Sequence, residues 1–455
     1  MTEQAKPGIT GRLADFILGL KYENLPPKVI TEAKNGILDT LGVALVGATE
    51  PSSKMLLKAV TSDTGSGTAT VVGTRTCATP TLAALLNGYT AHVLDYDDTQ
   101  HDVGTHMSAP VLAAAMAAAE MLHSPGKDLL TAYVTGFEVG CVLGRAGGYS
   151  HHLLQHGFVS SSALGVISAA AASGRLMGLD AMQMRNCLGI AFGHASGVIR
   201  SFGTMAKAQN IANAAQNGVL AALLARQGFT GPDAIFDGKN NAFEMYGGKT
   251  DVDDLFQSLG QKFEIIQNTR KIYACSGWRN PIIEATIHLV DTHGLKHADI
   301  ANIRIEACAG VQHLPNYPQP HSGLETKFSA QYAAAVALMD HAGGVAQFSD
   351  ERVADPVLAD LTRRVTLEFA PDLGPFQTRV SLTTRDSKTH SHFIPVQKGK
   401  HSNPMTWDEL VVKFSANASA TLPPPQVKSL PPMIRTLESL SDSAEMLKLC
   451  RATAI

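Results

Sequence analysis

Charge is scarce in this chain. Only 17% of its 455 residues are Asp, Glu, Lys or Arg, against about 25% in a typical soluble protein. The shortfall implies that much surface is buried, in a large helical core or in an interface between copies. The charges nearly cancel, at −3, which offers no attraction to nucleic acid or to an anionic membrane, so neither is expected as a partner. Cysteine is sparse and scattered: Cys77, Cys141, Cys187, Cys275, Cys308 and Cys450 form no C-x-x-C pair. That spacing argues against a structural zinc site, an iron–sulfur cluster of the usual kind and a disulfide scaffold, and it fits a reducing compartment. Long apolar runs are missing as well, since His, Gly, Ser or charge interrupts each Ala-rich stretch before it could span a membrane. Residues 1–8 lack the basic segment and apolar core of a secretory signal. The expected compartment is the cytoplasm, or the mitochondrion if the source is eukaryotic.

Against that background one stretch stands out. Residues 91–106 hold four aspartates (Asp95, Asp97, Asp98, Asp102) and three histidines (His92, His101, His106), between apolar helical sequence on both sides. Two readings are equally open: a solvated acidic loop, or acids and imidazoles buried between helices, where desolvation would tune them for proton transfer.

A chain of 455 residues exceeds one ordinary core, so two domains are expected. Apolar residues recur at helical spacing over 8–21, 27–46, 81–94, 107–122, 129–143, 160–176, 180–195 and 211–224. Residues 69–73 suggest a short strand, 144–157 a glycine- and histidine-rich break, and 251–259 a short acidic helix. Near residue 262 the character changes. Strands are expected at 263–266, 303–306, 365–369, 378–384 and 392–396, with helices at 281–292 and 330–339. Helical sequence returns after Pro404. The expected fold is mainly α: a large all-helical domain, 1–265 completed by 404–455, with an inserted smaller α+β lid over 266–403.

Five segments, in order along nearly the whole chain, carry a resemblance. They are His92-x-x-Asp95-Tyr-Asp-Asp-Thr99 with His106-Met-Ser-Ala-Pro; Gly203-Thr-Met-Ala-Lys207; Gly228-Phe-Thr-Gly; Lys271-Ile-Tyr-Ala-Cys-Ser276; and Gly323-Leu-Glu-Thr-Lys-Phe-Ser329. The chain resembles the MmgE/PrpD family, which includes 2-methylcitrate dehydratase, cis-aconitate decarboxylase and iminodisuccinate epimerase. The resemblance implies a helical domain with an α+β lid, a homodimer, a cleft site for a small carboxylate substrate, and no metal or organic cofactor. Three positions depart from the family pattern. Val159, Asn210 and Asn280 stand where members commonly carry histidine, and His152, His156 and His313 are nearby imidazoles that could take their place.

The family reactions form or collapse a carbanion beside a carboxylate. They need fixed cations for the charge and a general acid–base pair for the proton. Lys207 and Lys271 are the candidate cations; each sits among small or aromatic residues and not in a charge run. His106 is the candidate proton carrier, Asp95 the group that orients a partner, and Thr99 a donor to substrate. Ser276 and Tyr273 are further candidate contacts, with packing the favoured role for Tyr273. The expectation is a cofactor-independent lyase or isomerase, dehydration first, decarboxylation second and epimerisation third. Without the three histidines the pocket is less basic, which points to fewer carboxylates than citrate or an added apolar chain. Two rivals remain: a relative that binds but does not catalyse, and a magnesium site of the isoprenoid-synthase type built on Asp98-x-x-x-Asp102, with residues 251–254 as the other acidic cluster.

Overall fold

A computed structural model describes residues 8–60, 62, 67–146, 149–245 and 259–452. Among the described residues helices dominate, and the strands make one two-stranded ribbon and one four-stranded sheet. The fold is mainly α with a small sheet unit.

The helical part packs by small side chains. The helix Ser108–Leu122 buries residues 108–120 on every face, as expected of an Ala-rich helix surrounded by others. Gly165–Leu176 and Ala206–Arg226 approach so closely that a Cβ on Gly218 would sit 2.4 Å from the Cβ of Ala169. One hydrophobic cluster runs from Leu13 to Ile265 and takes in Met405 to Cys450. The C-terminal return is thus part of the helical core. Trp407–Ala418 lays Phe414 against Gly42 of Pro27–Gly47, and Lys413 pairs with the fully buried Asp39 at 2.7 Å.

A second cluster gathers Ala274 to Ile394 with a few residues of the helical part, among them Val93, Leu94 and Tyr96. Its sheet has β3 (Ile300–Cys308) at the centre, parallel to β4 (Val365–Ala370) and antiparallel to β5 (Thr378–Thr384), which pairs with β6 (Thr389–Ile394). The ribbon strands are β1 (Ala69–Thr70) and β2 (Cys77–Ala78). Strand β5 alternates buried and half-buried residues along its whole length, the period of a strand with one face on a core. Asn280–His293 and Ala330–Asp340 pack on this sheet.

Three expectations fail, each for a tertiary reason. Residues 263–266 form no strand. They lead into a 3-10 turn, Glu264–Gln267, because the buried Glu138 carboxylate accepts the N–H groups of Glu264 (2.7 Å) and Ile265 (2.9 Å). Burial pushes the Glu138 pKa up to about 8. The break at 144–157 contains the helix Tyr149–Gln155, whose Ser150 hydroxyl donates to the Val103 carbonyl at 2.5 Å. The strand at 69–73 shrinks to β1, and Gly73 donates instead to the Cys450 carbonyl. The acidic helix expected at 251–259 falls almost wholly outside the described residues.

Lys413 also donates to the carbonyls of Lys271 (2.7 Å) and Tyr96 (3.3 Å). Removing a buried ion-pair partner costs about 3–5 kcal/mol. Lys413→Met is expected to lower the unfolding free energy by that order in a urea titration, whereas Val412→Thr at the exposed neighbour changes it by less than about 0.5 kcal/mol.

Candidate active site

Most of the charged stretch is buried. Asp95 is 4% exposed, and Asp97 and Asp98 are fully enclosed. Helix Pro80–His92 ends on His92, whose carbonyl accepts the Asp95 N–H at 3.0 Å. Asp95 then adopts a left-handed φ of 52°, a conformation that Asp tolerates better than most residues. The strand-like pairing of Thr99 with Thr269 at 2.8 and 2.9 Å ties the stretch to the segment that bears Lys271.

Asp95 is where distant elements meet. Lys207, in the first turn of Ala206–Arg226, donates to Asp95 Oδ1. A cation is disfavoured at a helix N-terminus, and the Asp95 carboxylate compensates for that. Lys271 Nζ donates to the Asp95 carbonyl at 2.6 Å and lies 3.4 Å from Oδ2. Burial acts to raise the Asp95 pKa, but Lys207 and then Lys271 overcome it and hold the carboxyl well below the usual range.

His92 bridges two of these groups. Its Nδ1 is 2.8 Å from Asp97 Oδ2 and its Nε2 is 2.8 Å from Lys207 Nζ. A carboxylate can only accept and an ammonium can only donate, so His92 is the neutral Nδ1–H tautomer. Burial, opposed by Asp97, depresses its pKa to about 4. The same Asp97 oxygen faces His106 Nδ1 at 3.2 Å, with Thr99 Oγ1 3.4 Å from that nitrogen. Nδ1 is thus the His106 nitrogen committed to Asp97 and Thr99. Asp97, desolvated but flanked by both imidazoles, stays well below the usual carboxylate range. Asp98 is solved differently: Ser108 Oγ and Asn268 Nδ2 donate to it at 2.5 and 2.6 Å, and burial pushes its pKa up to about 6.

These groups open on a cavity of about 500 Å³, within the usual ~300–1,000 Å³ of small-molecule sites. Asp95, Thr99, His106, Lys207, Lys271 and Ser276 line it, and His313 lies exposed at its rim. Much of the remaining wall is apolar, including Leu154, Phe202, Trp278, Leu314 and Phe328. Three candidates lie elsewhere. His152 and His156 lie ring beside ring, with centroids 4.0 Å apart and planes tilted by 36°, and neither lines the cavity; the helix turns His151 toward it instead. Tyr273 packs its ring on Gly343 and against the sheet unit's cluster, and it is absent from the cavity lining. Sequence reasoning passed over His92, His101 and Asp97 as site residues, although the motif His92-x-x-Asp95 contained a usable signal.

Asp98 and Asp102 do not converge. Asp98 points inward to Ser108 and Asn268, while Asp102 is exposed beside Arg145 at 3.6 Å. The spacing for magnesium is therefore not realised, and residues 251–254 lie outside the described part. Among the described residues, His92, Asp97 and His106 offer ligand atoms within 4.8 Å of one another. There Asp97 Oδ2 faces both Nδ1 atoms, and the Lys207 ammonium sits beside His92. This donor set is a hydrogen-bonded triad next to a fixed cation, which disfavours a second cation.

Two family models match the chain: the MmgE/PrpD N-terminal domain over residues 11–254 and the MmgE/PrpD C-terminal domain over 273–438. The chain belongs to the MmgE/PrpD family. Relatives in that family include the cis-aconitate decarboxylases of Mus musculus, 31% identical over 98% of this chain and 94% of the relative, and of Homo sapiens, 30% identical over 97% and 94%. The cis-aconitate decarboxylase of Aspergillus terreus is 28% identical over 98% of this chain and 96% of its own length. The three departures from the family histidines now separate. Val159 lines the cavity. Asn210 donates to Ser201 Oγ at 2.9 Å, and the buried Asn280 accepts the Tyr273 N–H at 3.1 Å; neither lines the cavity wall.

Between the ordinary imidazole value of 6.5 and about 4, an unfolded chain protonates His92 and the folded chain does not. The contribution of His92 to stability therefore falls as pH falls through that window. In urea titrations at pH 7 and pH 4.5, His92→Gln is expected to lose about 2 kcal/mol less on acidification than the wild type. Equal losses would contradict the assignment of a neutral His92.

Proposed function

We propose that this lyase of the MmgE/PrpD family decarboxylates a small unsaturated polycarboxylate of the cis-aconitate type, and that it uses acid–base chemistry without metal or organic cofactor. The observation that carries the reading is the Lys207–Asp95–Lys271 cluster beside His106 on the wall of a largely apolar cavity. Decarboxylation takes precedence over the dehydration favoured from sequence because relatives matching nearly the whole chain carry that name.

Each lysine ammonium has three N–H groups. Lys207 directs two of them, to Asp95 and His92, and has one left for a substrate carboxylate. Lys271, turned to the Asp95 carbonyl and carboxylate, likewise keeps one. In this reading those two donors hold the carboxylate conjugated to the double bond. The carboxylate that leaves lies against the apolar wall, where poor solvation favours dispersal of its charge into CO₂. The electron pair of the breaking C–C bond becomes the new double bond. The pair of the old double bond takes a proton from His106 Nε2 at the carbon bearing the held carboxylate. Residues 266–403 close the cavity as a lid in this reading, and the homodimer belongs to it too. Val159 makes the wall apolar where a histidine is usual, which favours a substrate with fewer charges than citrate or an apolar substituent.

Proton NMR in D₂O with cis-aconitate and a methyl-substituted homologue tests the reaction. The expected result is loss of CO₂, incorporation of one deuterium at the protonated carbon, and no effect of EDTA. Lys207→Ala and His106→Gln are each expected to lower kcat about 10²–10⁴-fold. Exchange of water without loss of CO₂ would make the protein a dehydratase, and unchanged spectra for every acid would make it a binding protein.

A further inference from the structure

The loop 371–377 between β4 and β5 reaches the cavity through Leu373, Pro375 and Phe376. Phe376 holds a φ of 60°, a left-handed conformation that is costly for an aromatic residue and tends to persist where function needs it. Its ring lies flat on His101, with centroids 3.9 Å and planes 12° apart. Both ring nitrogens of His101 are shielded and have no hydrogen-bond partner among the described residues. Burial depresses its pKa to about 3, so the ring stacks as a neutral imidazole. Gly277 closes on the edge of the stack: a Cβ there would lie 3.1 Å from His101 Nε2 and 4.0 Å from Phe376 Cε1. An imidazole denied its hydrogen bonds and a strained phenylalanine are each unfavourable alone. Together they build a flat apolar stop on the cavity wall, and neither makes a hydrogen bond to the Asp95–Lys207 cluster.

We propose that the His101–Phe376 stack is a specificity gauge that selects substrates by the length of an apolar substituent, admitting short alkyl groups and rejecting long ones. The proposal rests on the preceding reading only for the carboxylate head group. Substituents that fit pack against Phe376, Pro375 and Leu373. Those that exceed the wall must break the stack and lose its ring-on-ring contact.

Saturated alkylsuccinates carry the head group but have no double bond to react, so calorimetry with methyl-, butyl- and octylsuccinate reads the gauge without turnover. In the wild type, affinity is expected to rise about three- to four-fold per methylene while the chain fits, then fall for octylsuccinate. Phe376→Ala is expected to raise the ratio of octylsuccinate to methylsuccinate affinity at least ten-fold. His101→Phe, which preserves a flat ring under Phe376, should keep the wild-type profile. A wild-type affinity indifferent to chain length, or a Phe376→Ala profile that superimposes on it, would overturn the proposal. A normal profile in a protein that leaves cis-aconitate untouched would instead overturn the decarboxylase reading and leave the gauge standing.

Discussion

The site depends on a single electrostatic constraint: three carboxylates within four residues, Asp95, Asp97 and Asp98, are taken out of water. An isolated buried carboxylate costs several kcal/mol, so each must be matched by a partner, whether near in sequence or distant. Asp95 takes two ammonium groups, from Lys207 and Lys271. Asp97 takes two imidazoles. Asp98 takes two neutral donors and holds its proton more tightly than an ordinary carboxyl. Satisfying the three together fixes the end of Pro80–His92, the start of Ala206–Arg226 and the segment around Lys271 relative to one another. The constraint that permits burial is also what orients Lys207, Lys271 and His106 on the cavity wall.

The same arrangement divides the cavity. On one wall, Lys207 and Lys271 present fixed ammonium groups beside the His106 imidazole. Elsewhere Leu154, Val159, Trp278, Phe328 and Phe376 present apolar surface. A polyanion can satisfy the first wall only by placing part of itself against the second. Lys413, beneath the site, holds the carbonyls of Tyr96 and Lys271 and links this geometry to the C-terminal helices.

Local signals were legible in the sequence, and distant pairings were not. The alternation of 378–384 specifies β5 because a period of two reports one buried face directly. Residues 263–266 carried similar β-branched content, but Glu138, 126 positions earlier, captures their N–H groups. The charged stretch was conspicuous as composition, yet its burial depended on Lys207 and Lys271, 112 and 176 residues away from Asp95. His152 and His156 were plausible by proximity in sequence, and helix Tyr149–Gln155 turns His151 to the cavity instead. Nothing in the sequence distinguished Val159, which lines the cavity, from Asn210 and Asn280, which do not.

The most direct test of this account is a crystal structure of the protein with methylsuccinate, an acid that cannot react. The account requires one carboxylate within hydrogen-bond distance of both Lys207 Nζ and Lys271 Nζ, His106 Nε2 facing the ligand carbon chain, and the Lys207–Asp95 pair intact. A carboxylate bound away from both lysines, or one that displaces Asp95 from Lys207, would contradict it.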